Sequence, residues 1–291
     1  MIDQTELGGG PRMDIPHEHA RTEAWRQAHF ASQAAAELGK GWAVEKSDDS
    51  HSSFAWVQRS GEGGLEGVAA VGEDAPRTRL VFAPLELSLI TEAGEPLASI
   101  GLGGMTVEAA TGWVRSEAAR HIGPPRQNTR PAPDLPDHPL NERAPLNADT
   151  PGLAGLASMY AATDALLERL RGAHSAFEPA RCWPHHFDLA SLAVVGRDAE
   201  GAMTQTVGVG ITPPDSLESA GYWYVSPWSK NGLSGSPEYP RLAHGRWVER
   251  GGGVSMAVLS VDEAGSADAP HAALADFVAG AVGACRRALG V

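Results

Sequence analysis

Apolar positions recur along the chain with two periods, and the places where the period changes outline its elements. Trp25, Ala28, Ala31, Ala35 and Leu38 fall at helical spacing and Gly39 follows as a stop, so the spacing predicts a first helix over 22–38. After the polar run Asp48-Asp49-Ser50-His51, Phe54 and Trp56 stand two apart and begin a short strand. In Leu85-Glu86-Leu87-Ser88-Leu89 the alternation is strict, which buries one face and leaves Glu86 and Ser88 on the other. Strands are expected at 79–83, 85–91 and 97–102, and Thr106 reads as the N-cap of a helix reaching about residue 121.

Residues 123–152 interrupt both periods with Pro124, Pro125, Pro131, Pro133, Pro136, Pro139, Pro145 and Pro151, a density that implies an extended connector. Thr150-Pro151 then opens a helix whose stripe is Leu153, Leu156, Tyr160, Thr163, Leu167 and Leu170, with Gly172 at its end. Further strands are expected at 188–195, 204–211, 221–225 and 254–261. The glycines of Gly208-Val209-Gly210-Ile211 bare one strand face for a helix or a ligand. A last helix over 270–288 carries Leu274, Phe277, Val278, Ala281, Cys285 and Leu289 on one face, with Arg286 and Arg287 against its dipole.

The pattern predicts an α+β fold, an antiparallel or mixed sheet packed with helices. Residues 1–20, with His17-Glu18-His19, read as a flexible arm, and 21–291 as one integrated domain. Its halves, 21–122 and 151–291, follow a similar helix–histidine turn–strands–helix plan and are joined by the connector 123–150. His51-Ser-Ser-Phe-Ala-Trp and His186-Phe-Asp-Leu-Ala-Ser share the spacing from histidine to strand, which admits a pseudo-repeat.

Composition narrows the function. With 42% hydrophobic and 20% charged residues in 291, the chain is long enough to bury a large core. No run approaches the roughly 18 apolar residues of a membrane helix. The start Met-Ile-Asp-Gln-Thr-Glu lacks a signal peptide's basic, apolar pattern, so a cytoplasmic protein is expected. A net charge of −13 without a basic stripe argues against nucleic acid as partner. Two cysteines, Cys182 and Cys285, make no disulfide scaffold, and Cys285 falls on an apolar helical stripe.

The densest chemistry lies in Cys182-Trp183-Pro184-His185-His186-Phe187-Asp188. On an extended chain His185 and His186 point to opposite faces, while His186 and Asp188 share one, so the carboxylate would orient the imidazole or share a metal with it. A buried structural knot of histidine, proline and tryptophan is the other reading. His51, preceded by two aspartates, is the N-terminal candidate ligand, against a plain Asp- and Ser-capped turn. His186, Asp188 and His244 with Arg250 trace the outline of an iron facial triad, a pattern that arises easily by chance among 11 histidines. Cys182-x-x-His185 is half a zinc site with no second half, and Cys182 as a histidine-activated nucleophile has no further support. Gly232-Leu-Ser-Gly-Ser236 is not a nucleophile elbow, nor Gly101-Leu-Gly-Gly104 a dinucleotide fingerprint.

A second cluster, Gly221-Tyr-Trp-Tyr-Val-Ser-Pro-Trp228, is half aromatic in a chain that is 6% aromatic. Tyr222, Trp223, Tyr224 and Trp228 read either as core or as the wall of a small-molecule pocket.

Trp183-Pro-His-His-Phe-Asp-Leu-Ala190, Val207-Gly-Val-Gly-Ile-Thr-Pro213 and Tyr222-Trp-Tyr-Val-Ser-Pro-Trp228 together resemble a bacterial family of uncharacterised proteins. The Asp-Ser-His turn at 49–51 and Leu85-Glu-Leu-Ser-Leu89 resemble it more loosely. The resemblance spans most of 20–290 and implies one integrated unit with its site around 183–190, and no particular reaction.

Three functions follow. One is an enzyme acting on a small molecule, dependent on a divalent ion such as zinc or iron. It would use His51, His185, His186 and Asp188 as ligands, or His186 and Asp188 as acid–base groups, beside the aromatic pocket. The second is a non-catalytic small-molecule binder, and the third an architectural protein.

Overall fold

A computed structural model describes residues 7, 9–127, 135, 140, 144–233, 239–250 and 255–291. The chain divides into two compact units: an N-terminal one of Pro16–Ala157 with Arg181–Asp188, and a C-terminal one of Met1–Ile15, Ser158–Ala180 and Leu189–Val291. The division differs from the halves expected at 21–122 and 151–291, because residues 181–188 sit with the N-terminal unit. Prolines 131, 133, 136 and 139 of the expected connector lie outside the described residues, as do Val254 and Ser234–Ser236.

In the N-terminal unit, α1 (Glu18–Ala35) and α2 (Glu37–Trp42) precede a meander of β1 (Phe54–Arg59), β2 (Glu62–Gly67), β3 (Arg77–Val81), β4 (Glu86–Ile90) and β5 (Pro96–Gly101). Helix α3 (Val107–Ile122) follows, and the two-residue β6 (Arg181–Cys182) returns to the sheet edge. The order is β6-β1-β2-β3-β4-β5, with the paired neighbours antiparallel. Helix α1 packs on α3 and β3, and Ala24, Ala28 and Ala31 along it are buried. Thr106 caps α3 as its sequence predicts, its hydroxyl accepting the Ala109 N–H at 3.1 Å.

Two local readings change. Gly39 lies inside α2 rather than ending a helix. A Cβ there would collide with the His51 carbonyl oxygen, so glycine lets the 3-10 turn Ser50–Ser52 sit against the helix. Ser88 is buried, its hydroxyl 2.8 Å from that of Ser99 on β5, so the polar face of β4 carries a cross-strand hydroxyl pair. On β2, Glu66 is buried between Arg59 and Arg79. Burial alone would raise its carboxyl, and the two guanidinium groups outweigh that and hold it below the usual range.

In the C-terminal unit, α4 (Leu153–Ala173) contributes from Ser158 onward. Strands β7 (Leu189–Arg197), β8 (Met203–Thr212), β9 (Tyr222–Ser229), β10 (Arg246–Glu249) and β11 (Ser255–Ser260) follow, then α5 (Val261–Gly265) and α6 (Pro270–Leu289). The order β10-β11-β9-β8-β7 is antiparallel where pairs are described, and α6 packs on β8, β9 and β11. At Gly210 a Cβ would lie 2.6 Å from the Ala190 Cβ, so glycine there admits the close approach of β7. Within the expected N-terminal arm Leu7 and Met13 are buried, and residues 9–12 are exposed. The Asp14 N–H donates to the Ser158 hydroxyl at 2.7 Å, which donates to the Arg12 carbonyl at 2.8 Å. Among the described residues no helix is long and apolar enough to cross a membrane.

Candidate functional site

One pair in the N-terminal sheet builds the site. Phe54 of β1 stands opposite Cys182 of β6 in antiparallel register. The residues before 54 and those after 182 therefore emerge at the same end of the sheet. The loop 47–53 and the segment 183–188 meet there, and Arg181 reaches the Ser53 hydroxyl at 3.3 Å.

Segment 183–188 is a turn, not the extended chain its spacing was read on. The Phe187 N–H closes on the Trp183 carbonyl at 2.6 Å, and the Trp183 N–H on the Asp188 carbonyl at 3.2 Å. Phe187 sits at φ 56, in the left-handed region that a bulky residue enters only when its surroundings hold it. Its side chain is fully buried, stacked on His29 at 5.2 Å between centroids and beside Phe82 at 6.0 Å. The anchored phenyl ring takes the place of the opposite-face rule, so both adjacent histidines turn to one side. Their ring centroids lie 4.4 Å apart, and Trp183 meets His185 edge-on at 6.0 Å.

An open cleft of about 410 Å³ results, lined by Trp183, His185, His186 and Asp188 from the turn and by Ser47, Asp48 and Asp49 from the loop. His186 is exposed, His185 and Asp188 half-buried. The Ser50 N–H, 3.1 Å from Asp48 Oδ1, and the Ser50 hydroxyl hold the Asp48 carboxyl below its usual range, so it is ionised at neutral pH. The aspartates before His51 thus reach the site, whereas His51 does not line it. His51 is buried in the 3-10 turn, its Nδ1 accepting the Lys46 N–H at 3.3 Å.

Sequence reasoning missed the residues behind the turn. His29 and Gln33, one helical turn apart on the buried face of α1, both donate to the Pro184 carbonyl, His29 through Nε2 at 3.0 Å. Burial pushes the His29 imidazole down to about 4, helped by the nearby His186 and His185 and opposed by backbone carbonyls. The available signal was two polar residues at i, i+4 among the buried alanines of α1.

The remaining candidates fall elsewhere. Cys182 is fully buried, and burial with the nearby Asp188 charge raises its thiol well above the ordinary value, so it supplies no thiolate. Burial raises Cys285 to about 12. Tyr222, Trp223, Tyr224 and Trp228, with His244 and Arg250, belong to the C-terminal unit. There the Trp223 Nε1–H donates to the Thr163 hydroxyl at 2.9 Å and the Tyr222 hydroxyl to Asp215 at 2.9 Å. Tyr222 packs with Met256 and Val258, Tyr224 lies against that cluster, and Trp228 is 48% exposed. Among the described residues no three His, Cys, Asp or Glu side chains are arranged to hold a metal ion. Comparison of the chain with family models, curated proteins and solved structures finds no match.

Proposed function

We propose that the chain is an enzyme acting on a small polar molecule in the N-terminal cleft, by proton transfer at the His185–His186 pair. The observation that carries this reading is the turn itself. It brings two imidazoles to one side, beside Asp188 and opposite the Asp48 and Asp49 carboxylates, in a cleft open to solvent. His186, the exposed imidazole, is the proton donor or acceptor, because it alone of the pair stands open to a molecule entering the cleft. Asp188 stabilises the imidazolium that forms, and Trp183 offers a flat wall to the substrate. A divalent ion such as zinc or iron would draw on His185, His186 and Asp188 only if these side chains left the arrangement described, in which no three groups among the described residues are set to hold a metal; it would supply a polarised, acidified water.

The test has two arms on the full chain and its His185→Ala/His186→Ala variant. Elemental analysis after reconstitution shows whether metal is held and lost with the imidazoles. A small-molecule panel is then screened by ligand-observed NMR, and its binders are assayed for turnover. Compounds that bind and turn over on the parent but not on the folded variant support the reading. Binding without turnover leaves a carrier, and binding that ignores the two histidines removes the cleft from consideration.

A further inference from the structure

The turn carries one exposed and one half-buried imidazole on a backbone whose Phe187 is fully buried. Its backbone hangs from two points. Phe187, in a left-handed conformation, plugs the core between His29 and Phe82. The Pro184 carbonyl, buried behind the cleft, takes two donors from a single face of α1. One donor satisfies a buried carbonyl. The second comes at a disadvantage: with the Gln33 nitrogen on Pro184, its Oε1 is left buried with no hydrogen-bond partner among the described residues. A helix face shaped for packing alone would carry leucine or methionine at position 33. The His29 ring also does two things at once, donating from Nε2 to Pro184 while its face stacks on Phe187, with an interplanar angle of 14°. Because burial keeps that ring neutral, it has a single N–H, and the carbonyl fixes that proton on Nε2.

We infer that His29 and Gln33 are positioning residues, a two-donor clamp on the Pro184 carbonyl that holds the turn with both imidazoles toward the cleft. The functional consequence rests on the proposed reading of the cleft, whereas the clamp itself can be tested without any substrate. Neither residue touches the cleft. They act through the backbone of Pro184 and through Phe187, and so set where His185 and His186 point rather than taking part in proton transfer.

The experiment is amide hydrogen exchange on the full chain, followed residue by residue by NMR, for the parent and four variants. His29→Phe keeps the stacked ring and removes its donor. Gln33→Met keeps the volume and removes the other donor. His29→Gln returns an amide donor near the Nε2 position, and His185→Ala/His186→Ala removes the imidazoles alone. The Phe187 and Trp183 N–H groups, both bonded within the turn, are the reporters. Their exchange is expected to speed by about tenfold or more in His29→Phe and in Gln33→Met, while the β2, β3 and β4 amides keep parent rates. His29→Gln is expected to restore most of the protection, and the double alanine variant to retain it. Should His29→Phe fail to fold, Gln33→Met and His29→Gln carry the same comparison. Parent-like exchange at both reporters in the clamp variants overturns the inference. So does an equal rise at every amide, which marks a merely structural role, or loss of protection in the double alanine variant, which would show the imidazoles holding the turn themselves. Failure of the proposed function would appear instead as binders indifferent to His185 and His186, with the clamp intact.

Discussion

The aromatic strand of the C-terminal unit and the histidine turn of the N-terminal unit were equally prominent in the sequence, and the fold uses them in opposite ways. On β9 each side chain is assigned a face by the ladder, and Tyr222 and Trp223 find core on either side, with hydroxyl and indole N–H satisfied by Asp215 and Thr163. On the 183–188 turn nothing alternates. One buried phenyl and one doubly bonded carbonyl fix the backbone, and the remaining side chains are left to face solvent together. Ladder geometry disperses polar side chains and a pinned turn concentrates them, so the same density of unusual residues means packing in one unit and an open polar cleft in the other.

The largest test of this contrast is Trp223→Ala. With Trp223 1% exposed, the truncation should cost about 3–5 kcal/mol in chemical denaturation. Thr163→Val, which strands the indole N–H, should cost about 1–3 kcal/mol. Neither should alter ligand binding at the N-terminal cleft beyond its loss on unfolding. A Trp223 variant that stays fully stable yet loses ligand would reverse the roles of the two regions.

The units also differ in how protons act on them. His29 has its folded value lowered from 6.5 to about 4, so between those pH values the unfolded chain binds a proton that the native state refuses. Its contribution is complete above pH 6.5 and declines as pH falls toward 4, by about 3 kcal/mol in all. On α4 in the C-terminal unit, burial and then the charge of Glu168 raise Asp164 from 3.8 to about 7. There the native state holds the extra proton, so stability is lost as pH rises from 3.8 to 7, by about 2–3 kcal/mol after allowing for partial exposure. His271, lowered by burial and by Arg169, works against Asp164 in the same unit, so single variants must separate them. Measured by denaturation midpoints, the parent should lose stability relative to His29→Phe as pH falls from 6.5 to 4, and relative to Asp164→Asn as pH rises from 3.8 to 7. Differences of the same sign of slope for both variants would break the contrast.

Legibility followed the same division. Helix α3 and its Thr106 cap, α6, and the strands β3 to β5 and β7 to β9 were readable because periodicity and capping are local. Strand β10 was not, because its four residues are exposed or half-buried without alternation, and the two-residue β6 and the inclusion of 181–188 in the N-terminal unit were not, because they depend on a partner far along the chain. The turn was visible by residue type, and Asp48 and Asp49 by their place before His51. That His51 itself turns away is decided by the Lys46 N–H and by Gly39, and His29 and Gln33 were hidden because their target is a carbonyl 155 and 151 residues along the chain.

The smallest expected effects on stability sharpen the comparison most. His186 and Trp228 are both exposed, one on the turn and one on the aromatic strand, and alanine at either should leave stability within about 0.5 kcal/mol of the parent. Their ligand phenotypes should part. His186→Ala removes the imidazole assigned the proton, so it should abolish turnover of any substrate found for the cleft while weakening binding only modestly, a loss in kcat more than in KM. Trp228→Ala should change neither, because its ring stands in the other unit, outside the residues that line the cleft. If Trp228→Ala lowered kcat/KM as far as His186→Ala at unchanged stability, the aromatic strand would belong to the substrate's path, and the division of labour drawn between strand and turn would have to be abandoned.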